Sequence, residues 1–163
     1  MITTLRSAIL ATALCLGTAV AVAGDGPALA KGQTVYVPVY SHVLHGNQDK
    51  SGTPSQWLMA AMLSVRNTDP DNAMAVRSVR YYDSHGKLIR EYPVAAVRLE
   101  PMGTTEVFVE HKDNAGGSGA NFLVVWDADK PINPPIVETV HTYFYGTQST
   151  AFVSRGQPLL PTR

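Results

Sequence analysis

Cysteine is nearly missing from this chain of 163 residues: the single one, Cys15, lies in the first apolar stretch. A folded part with no second thiol forms no internal disulfide, so burial alone must stabilise it. A surplus of either charge is missing too, with 13 basic residues against 13 acidic. Such a balance offers no general attraction to nucleic acid or to an anionic membrane surface. No long amphipathic helix, heptad, internal repeat or low-complexity tract is visible, which leaves nothing helical to cover a sheet. No cofactor motif is recognisable either, so no cofactor is expected.

The one long apolar stretch stands at the N-terminus. Arg6 gives a positive start, Ala8 to Val22 is uncharged and mostly apolar, and Ala21-Val22-Ala23 offers the small residues a signal peptidase accepts. Residues 1–23 therefore read as a signal peptide cut before Gly24, with Ala28-Leu29-Ala30 as a second, more distant site. An uncleaved anchor is the alternative, but about fifteen apolar residues fall short of the roughly 20 that span a bilayer. Lipid attachment at Cys15 is the third reading, against which Leu14 occupies the place where a small residue is wanted. The processed chain would hold 140 residues, no cysteine, no transmembrane segment, and 12 basic residues against 13 acidic. A domain of that size buries about two-thirds of its unfolded surface, enough to fold without covalent staples.

What the mature chain does hold is a two-residue rhythm. In Val76–Tyr92, Val79 and Tyr81 oppose Ser78, Arg80 and Tyr82. Asp83-Ser84-His85-Gly86 then turns the chain, and Leu88, Arg90 and Tyr92 resume opposite Ile89 and Glu91. Thr34–Val43 alternates around Pro38, whose missing donor suits an edge strand. Gln56–Thr68 mixes helix formers with the alternation of Leu63-Ser64-Val65-Arg66, and a strand is favoured over a helix. Val94–Leu99, Thr104–Glu110, Asn121–Asp127, Ile136–Gly146 and Ala151–Val153 add further strands, with Asn121–Asp127 apolar on both faces as a central strand would be. The expected organisation is a flexible leader over 24–33, a β domain over 34–155, and a disordered tail over 156–163.

Four motifs in order resemble the bacterial domain-of-unknown-function 3124 family: Tyr36-Val37-Pro38-Val39-Tyr40-Ser41-His42, Leu63–Asp69, Tyr81–Leu88 and Gly116–Phe122. The resemblance covers nearly all of the mature chain. It implies an exported bacterial protein with no established activity and no catalytic residues to carry over. The strand ending in Arg-Asn-Thr, the Tyr-Asp-x-x-Gly-Lys turn and the Leu-x-Pro turn are similar to immunoglobulin-like modules of bacterial envelope proteins. The expected fold is thus an all-β, immunoglobulin-like antiparallel sandwich of about seven to nine strands.

Two local features bear on chemistry. Gly116, Gly117, Ser118, Gly119 and Asn121 belong to a glycine-rich loop whose amides could approach a ligand. A phosphate loop opens a helix, whereas a strand follows here; Gly116-x-Ser118 likewise lacks the strand-to-helix turn of a nucleophile elbow. His42 and His45, with methionines elsewhere, could hold copper or zinc, but residues three apart on a strand face opposite ways unless the chain bends near Gly46. The arginines of the middle third read as a solvated charge set, and the seven tyrosines as half-buried strand residues. The reading is an exported, periplasmic or secreted, non-catalytic module that binds a protein or glycan of the cell envelope. A periplasmic metal carrier and an uncharacterised envelope hydrolase are the two alternatives.

Overall fold

The computed structural model describes residues 27–92 and 95–160. The signal segment 1–23, with Cys15, lies outside the described residues, as do Val94 at the head of one expected strand and 161–163 of the expected tail. Among the described residues there are twelve strands: β1 Ala30–Val39, β2 His42–Gln48, β3 Pro54–Leu58, β4 Ala60–Arg66, β5 Met74–Tyr82 and β6 Leu88–Tyr92, followed by β7 Val97–Leu99, β8 Thr104–Val109, β9 Ala120–Ile132, β10 Ile136–Tyr145, β11 Gln148–Arg155 and β12 Gln157–Pro158. They pair antiparallel throughout. A six-stranded sheet runs β12-β1-β9-β5-β6, with β7 sharing the edge of β5 beside β6. A four-stranded sheet runs β11-β10-β4-β8, and β2 and β3 form a separate hairpin. The molecule is an all-β antiparallel sandwich. Among the described residues no helix is long and apolar enough to cross a membrane.

Alternation puts one face of each sheet inside. Val35, Val37 and Val39 of β1 meet Phe122, Val124 and Trp126 of β9 and Val76, Val79 and Tyr81 of β5; opposite them lie Ala61, Leu63 and Val65 of β4. Each large apolar side chain fully buried there contributes about 1.5–3 kcal/mol. Val76 and Val79 both face inward although three apart, because the ladder with β9 slips between Val76 and Ser78 and turns Arg77 out.

The organising hairpin forms as β5 and β6. Asp83 Oδ1 accepts the backbone N–H groups of His85 (2.8 Å) and Lys87 (2.9 Å), and Gly86 takes φ +79°. Its return strand departs from strict alternation: Tyr82 pairs with Leu88 and Tyr81 with Arg90, so Ile89 is extra, and Ile89 with Tyr92 packs on the core while Leu88 is exposed. Gln56–Arg66 is strand, as favoured, but divided at Met59 into β3 and β4, and Asn67 and Thr68 lie beyond the end of β4.

The count of twelve exceeds the expected seven to nine for local reasons. Thr34–Val43 breaks at Ser41, whose N–H and hydroxyl both go to Gly117 O. The expected leader gives residues 30–33 to β1, and the expected tail gives Gln157–Pro158, which pair with Val35 and Tyr36. Beyond that short pairing β1 is an edge, and Pro38 sits there.

Candidate functional site

The glycine-rich loop between β8 and β9 folds over one end of the sandwich, where the β5–β6 turn and the β1–β2 junction also arrive. Two serines lace the three segments together. Ser84 gives its N–H (2.9 Å) and its hydroxyl (3.0 Å) to the Gly116 carbonyl, and the same hydroxyl accepts the Gly119 N–H at 2.9 Å. Ser41 gives its N–H (3.1 Å) and hydroxyl (2.9 Å) to the Gly117 carbonyl. Arg90 reaches Asp113 at 3.4 Å from the neighbouring strand.

Glycine is required at two of these positions by close approach. A Cβ on Gly116 would overlap the Tyr81 hydroxyl, and one on Gly117 would lie 2.5 Å from the Ser84 hydroxyl. Gly117 also has φ +79°, a region that side chains disfavour. The loop is therefore shaped by what it packs on. The Gly117 N–H is taken by Asn114 O (3.3 Å) and that of Gly119 by Ser84, so those two amides are not available to cradle an anion. Ser118 is exposed, and Asn121 lies half-buried on β9 between Pro38 and Tyr82.

Beneath the loop the Tyr81 hydroxyl is buried without a hydrogen-bond partner. The Ser41 hydroxyl, which donates to Gly117 O, lies beside it and partly offsets the effect of burial on the phenol. Burial first, and then the nearby Asp113 carboxylate, push the Tyr81 phenol up to about 12, so it stays protonated. Burial also raises Tyr92, against the Arg90 guanidinium 5.7 Å from its ring centre.

The two candidate metal ligands have other neighbours. His42 and His45 both lie on β2, and the irregularity of the β2–β3 pairing falls after His45. The His45 ring sits 4.3 Å from Trp57, which stacks at 4.9 Å and 3° on Tyr143. This aromatic column fastens the β2–β3 hairpin to the four-stranded sheet. Among the described residues no three histidine, cysteine or acidic side chains gather as a metal site. His141 is fully buried: its Nε2 accepts the Tyr40 N–H at 3.1 Å, and its ring stacks on Phe152 at 4.5 Å. Burial holds it down to about 4, so it is neutral at pH 7.

Sequence reasoning found the loop but not its partners. Ser41 and Ser84 stand inside conspicuous motifs, yet neither has a spacing that announces a contact 76 or 32 residues away.

Residues 32–159 match the family described as protein of unknown function (DUF3124). No curated protein matches. A solved structure titled crystal structure of Thermotoga maritima 1070 is similar over 82% of this chain and 95% of that one, at 10% identity and a TM-score of 0.44. With the family pattern extending from the third residue of β1 to the residue after β12, the chain belongs to the DUF3124 family.

Proposed function

We propose that the chain is an exported, non-catalytic module of the bacterial envelope, and that it binds a protein or glycan through the laced loop end of its sandwich. The observation that carries this reading is the paired use of Ser41 and Ser84 to fix the Gly116 and Gly117 carbonyls. A loop held that way has little conformational entropy left to lose when a partner docks. Binding residues concentrate on loops set by a rigid scaffold, and here Asn114, Ala115 and Ser118 stand exposed beside His85 and Lys87 of the adjoining turn. The N-terminal charge, apolar stretch and Ala-Val-Ala site support export.

The test is cross-linking and pull-down from envelope extract with tagged protein expressed as the full chain. One partner should be recovered repeatedly, and Ser118→Arg, on an exposed position, should cut recovery roughly tenfold while leaving the melting curve unchanged. Equal recovery with Ser118→Arg and with Gly117→Ala would remove this site from consideration. N-terminal sequencing of the periplasmic fraction should read from Gly24; a chain that keeps Met1 and stays in the cytoplasm would refute the export half.

A further inference from the structure

The outer face of the four-stranded sheet carries one apolar row across all its strands. Phe108 of β8, Met62 of β4, Val140 of β10 and Val153 of β11 are successive partners in register. Cross-strand partners share a face. Their chain neighbours Val109, Leu63 and His141 are buried, so the row itself points away from the core. Phe108 is 59% exposed and Val153 52%; Ile136 and Phe144, on the same face of β10, are 49% and 73% exposed. Single exposed apolar residues are ordinary, but a contiguous patch of this kind on a soluble domain marks a contact.

The adjacent row is charged at both ends. In the same strand order it reads Glu106, Ser64, Glu138, Arg155, an acid at one edge of the sheet and a base at the other. Among the described residues neither Glu106 nor Arg155 belongs to an ion pair.

We infer that this face joins two copies of the chain about a twofold axis that lies in the interface and runs along the strands. Such an axis reverses the strand order of the facing sheet, setting β8 against β11 of the second copy and β4 against its β10. Phe108 then meets Val153 of the second copy, Met62 meets its Val140, and Glu106 meets its Arg155, each contact occurring twice. An axis across the strands would instead lay β8 on β8 and bring Glu106 towards Glu110 of the second copy, two like charges. Aligned sheets pack about 10 Å apart and turned by about 30°. That turn displaces the outermost pairs by roughly 4 Å, within reach of Glu and Arg side chains, and leaves the central Met62–Val140 pairs in place. Four strands at about 4.8 Å by about seven residues at about 3.4 Å cover about 450 Å² per copy. The total of about 900 Å² is below the size of stable specific interfaces, so the association is a weak, concentration-dependent one.

Sedimentation velocity from ~5 to ~500 µM, on protein purified from cells expressing the full chain, should show a monomer–dimer equilibrium. Val140→Lys should hold the protein monomeric throughout that range with its circular dichroism and melting temperature retained. Glu106→Arg and Arg155→Glu should each weaken association about tenfold, and the two together should restore it to within about threefold of the parent. A protein monomeric at every concentration, a Val140→Lys chain that dimerises like the parent, or a double charge swap that fails to restore association would each overturn the inference. So would a strictly monomeric protein that binds anionic lipid vesicles through this face.

Discussion

The outer faces of the two sheets are built on the same alternation and end up unlike each other. On the six-stranded sheet Arg77 straddles both carboxylate oxygens of Asp127 (2.9 and 2.8 Å), Arg80 stands across from Glu91, and Ser78 reaches Glu91 at 3.3 Å. On the four-stranded sheet the corresponding positions hold Phe108, Met62, Val140 and Val153. A strand's period separates two faces but does not say which is wet. That is decided by whether a second layer lies over the face: the four-stranded sheet carries an ion pair at one end of its outer surface, Arg66–Glu138 at 3.8 Å, but its middle row is apolar.

Two phenylalanines put the contrast at its widest. Phe122, fully buried on β9, should cost about 3–5 kcal/mol when changed to Ala. Phe108→Ala, read by urea unfolding at concentrations dilute enough for the monomer, should stay within about 0.5 kcal/mol of the parent. Equal losses would mean that another part of the same chain already covers the four-stranded sheet, and the two faces would no longer differ.

The next effect separates neighbours on β10. Val140 points out, whereas His141 points in, where its Nε2 accepts the Tyr40 N–H. Burial lowers the folded His141 from 6.5 to about 4. The unfolded chain therefore binds the proton more readily, so the stability from neutral His141 is complete above about pH 6.5 and is lost as pH falls towards 4. Between pH 7 and 4.5 the loss should reach ~2–3 kcal/mol. Asp69 and Asp83, also held below their ordinary range, add to it only at lower pH: burial works to raise Asp69 but four hydrogen bonds outweigh it, and the Lys87 N–H leads the lowering of Asp83. An equally steep pH dependence in His141→Gln would show that the proton binds elsewhere.

At the laced end, Gly116→Ala should cost about 1–3 kcal/mol by pressing a methyl into the Tyr81 hydroxyl. Tyr81→Phe removes a buried hydroxyl that has no partner, so it should be neutral or mildly stabilising alone. Combined with Gly116→Ala it should recover part of the loss; Ala120, whose Cβ would lie 2.7 Å from the new methyl, prevents full recovery. Strictly additive urea midpoints would place the two residues out of contact.

Residues whose partners are near in sequence were legible. Asp83 and Gly86 announce their turn because each acts on the backbone within a few residues. Asn121–Asp127 announces a central strand because both its faces are apolar, and β9 does lie between β1 and β5. Pairings made by backbone alone left no trace: Gln157–Pro158 joins β1 through main-chain contacts that any sequence could make. The break at Ser41 was hidden because the glycine carbonyl that causes it is 76 residues away. The glycines of the loop were legible as a group, but their reason, the Tyr81 hydroxyl and the Ser84 side chain, is a fact of packing. The apolar row was hidden for a similar reason, since four residues on four strands form a line only once the registers are fixed.

The smallest expected change concerns the link from β7, on the six-stranded sheet, to β8, on the four-stranded one. Glu100-Pro101-Met102-Gly103 makes that crossing as a turn closed by the Gly103 N–H on the Glu100 carbonyl at 2.8 Å. Met102 adopts φ +62°, the one non-glycine residue with positive φ among those described, and its side chain is 68% exposed. A turn with positive φ at its third residue suits glycine, and methionine there strains the backbone with no buried contact in return. Met102→Gly relieves the strain but frees the unfolded chain, so the net gain should be small, up to ~1 kcal/mol. Thermal melts of dilute protein should show the variant equal to or slightly above the parent. If instead Met102→Gly melts several degrees lower, the exposed methionine is held against something, and this crossing belongs with the four-stranded sheet's uncovered face as part of one contact surface.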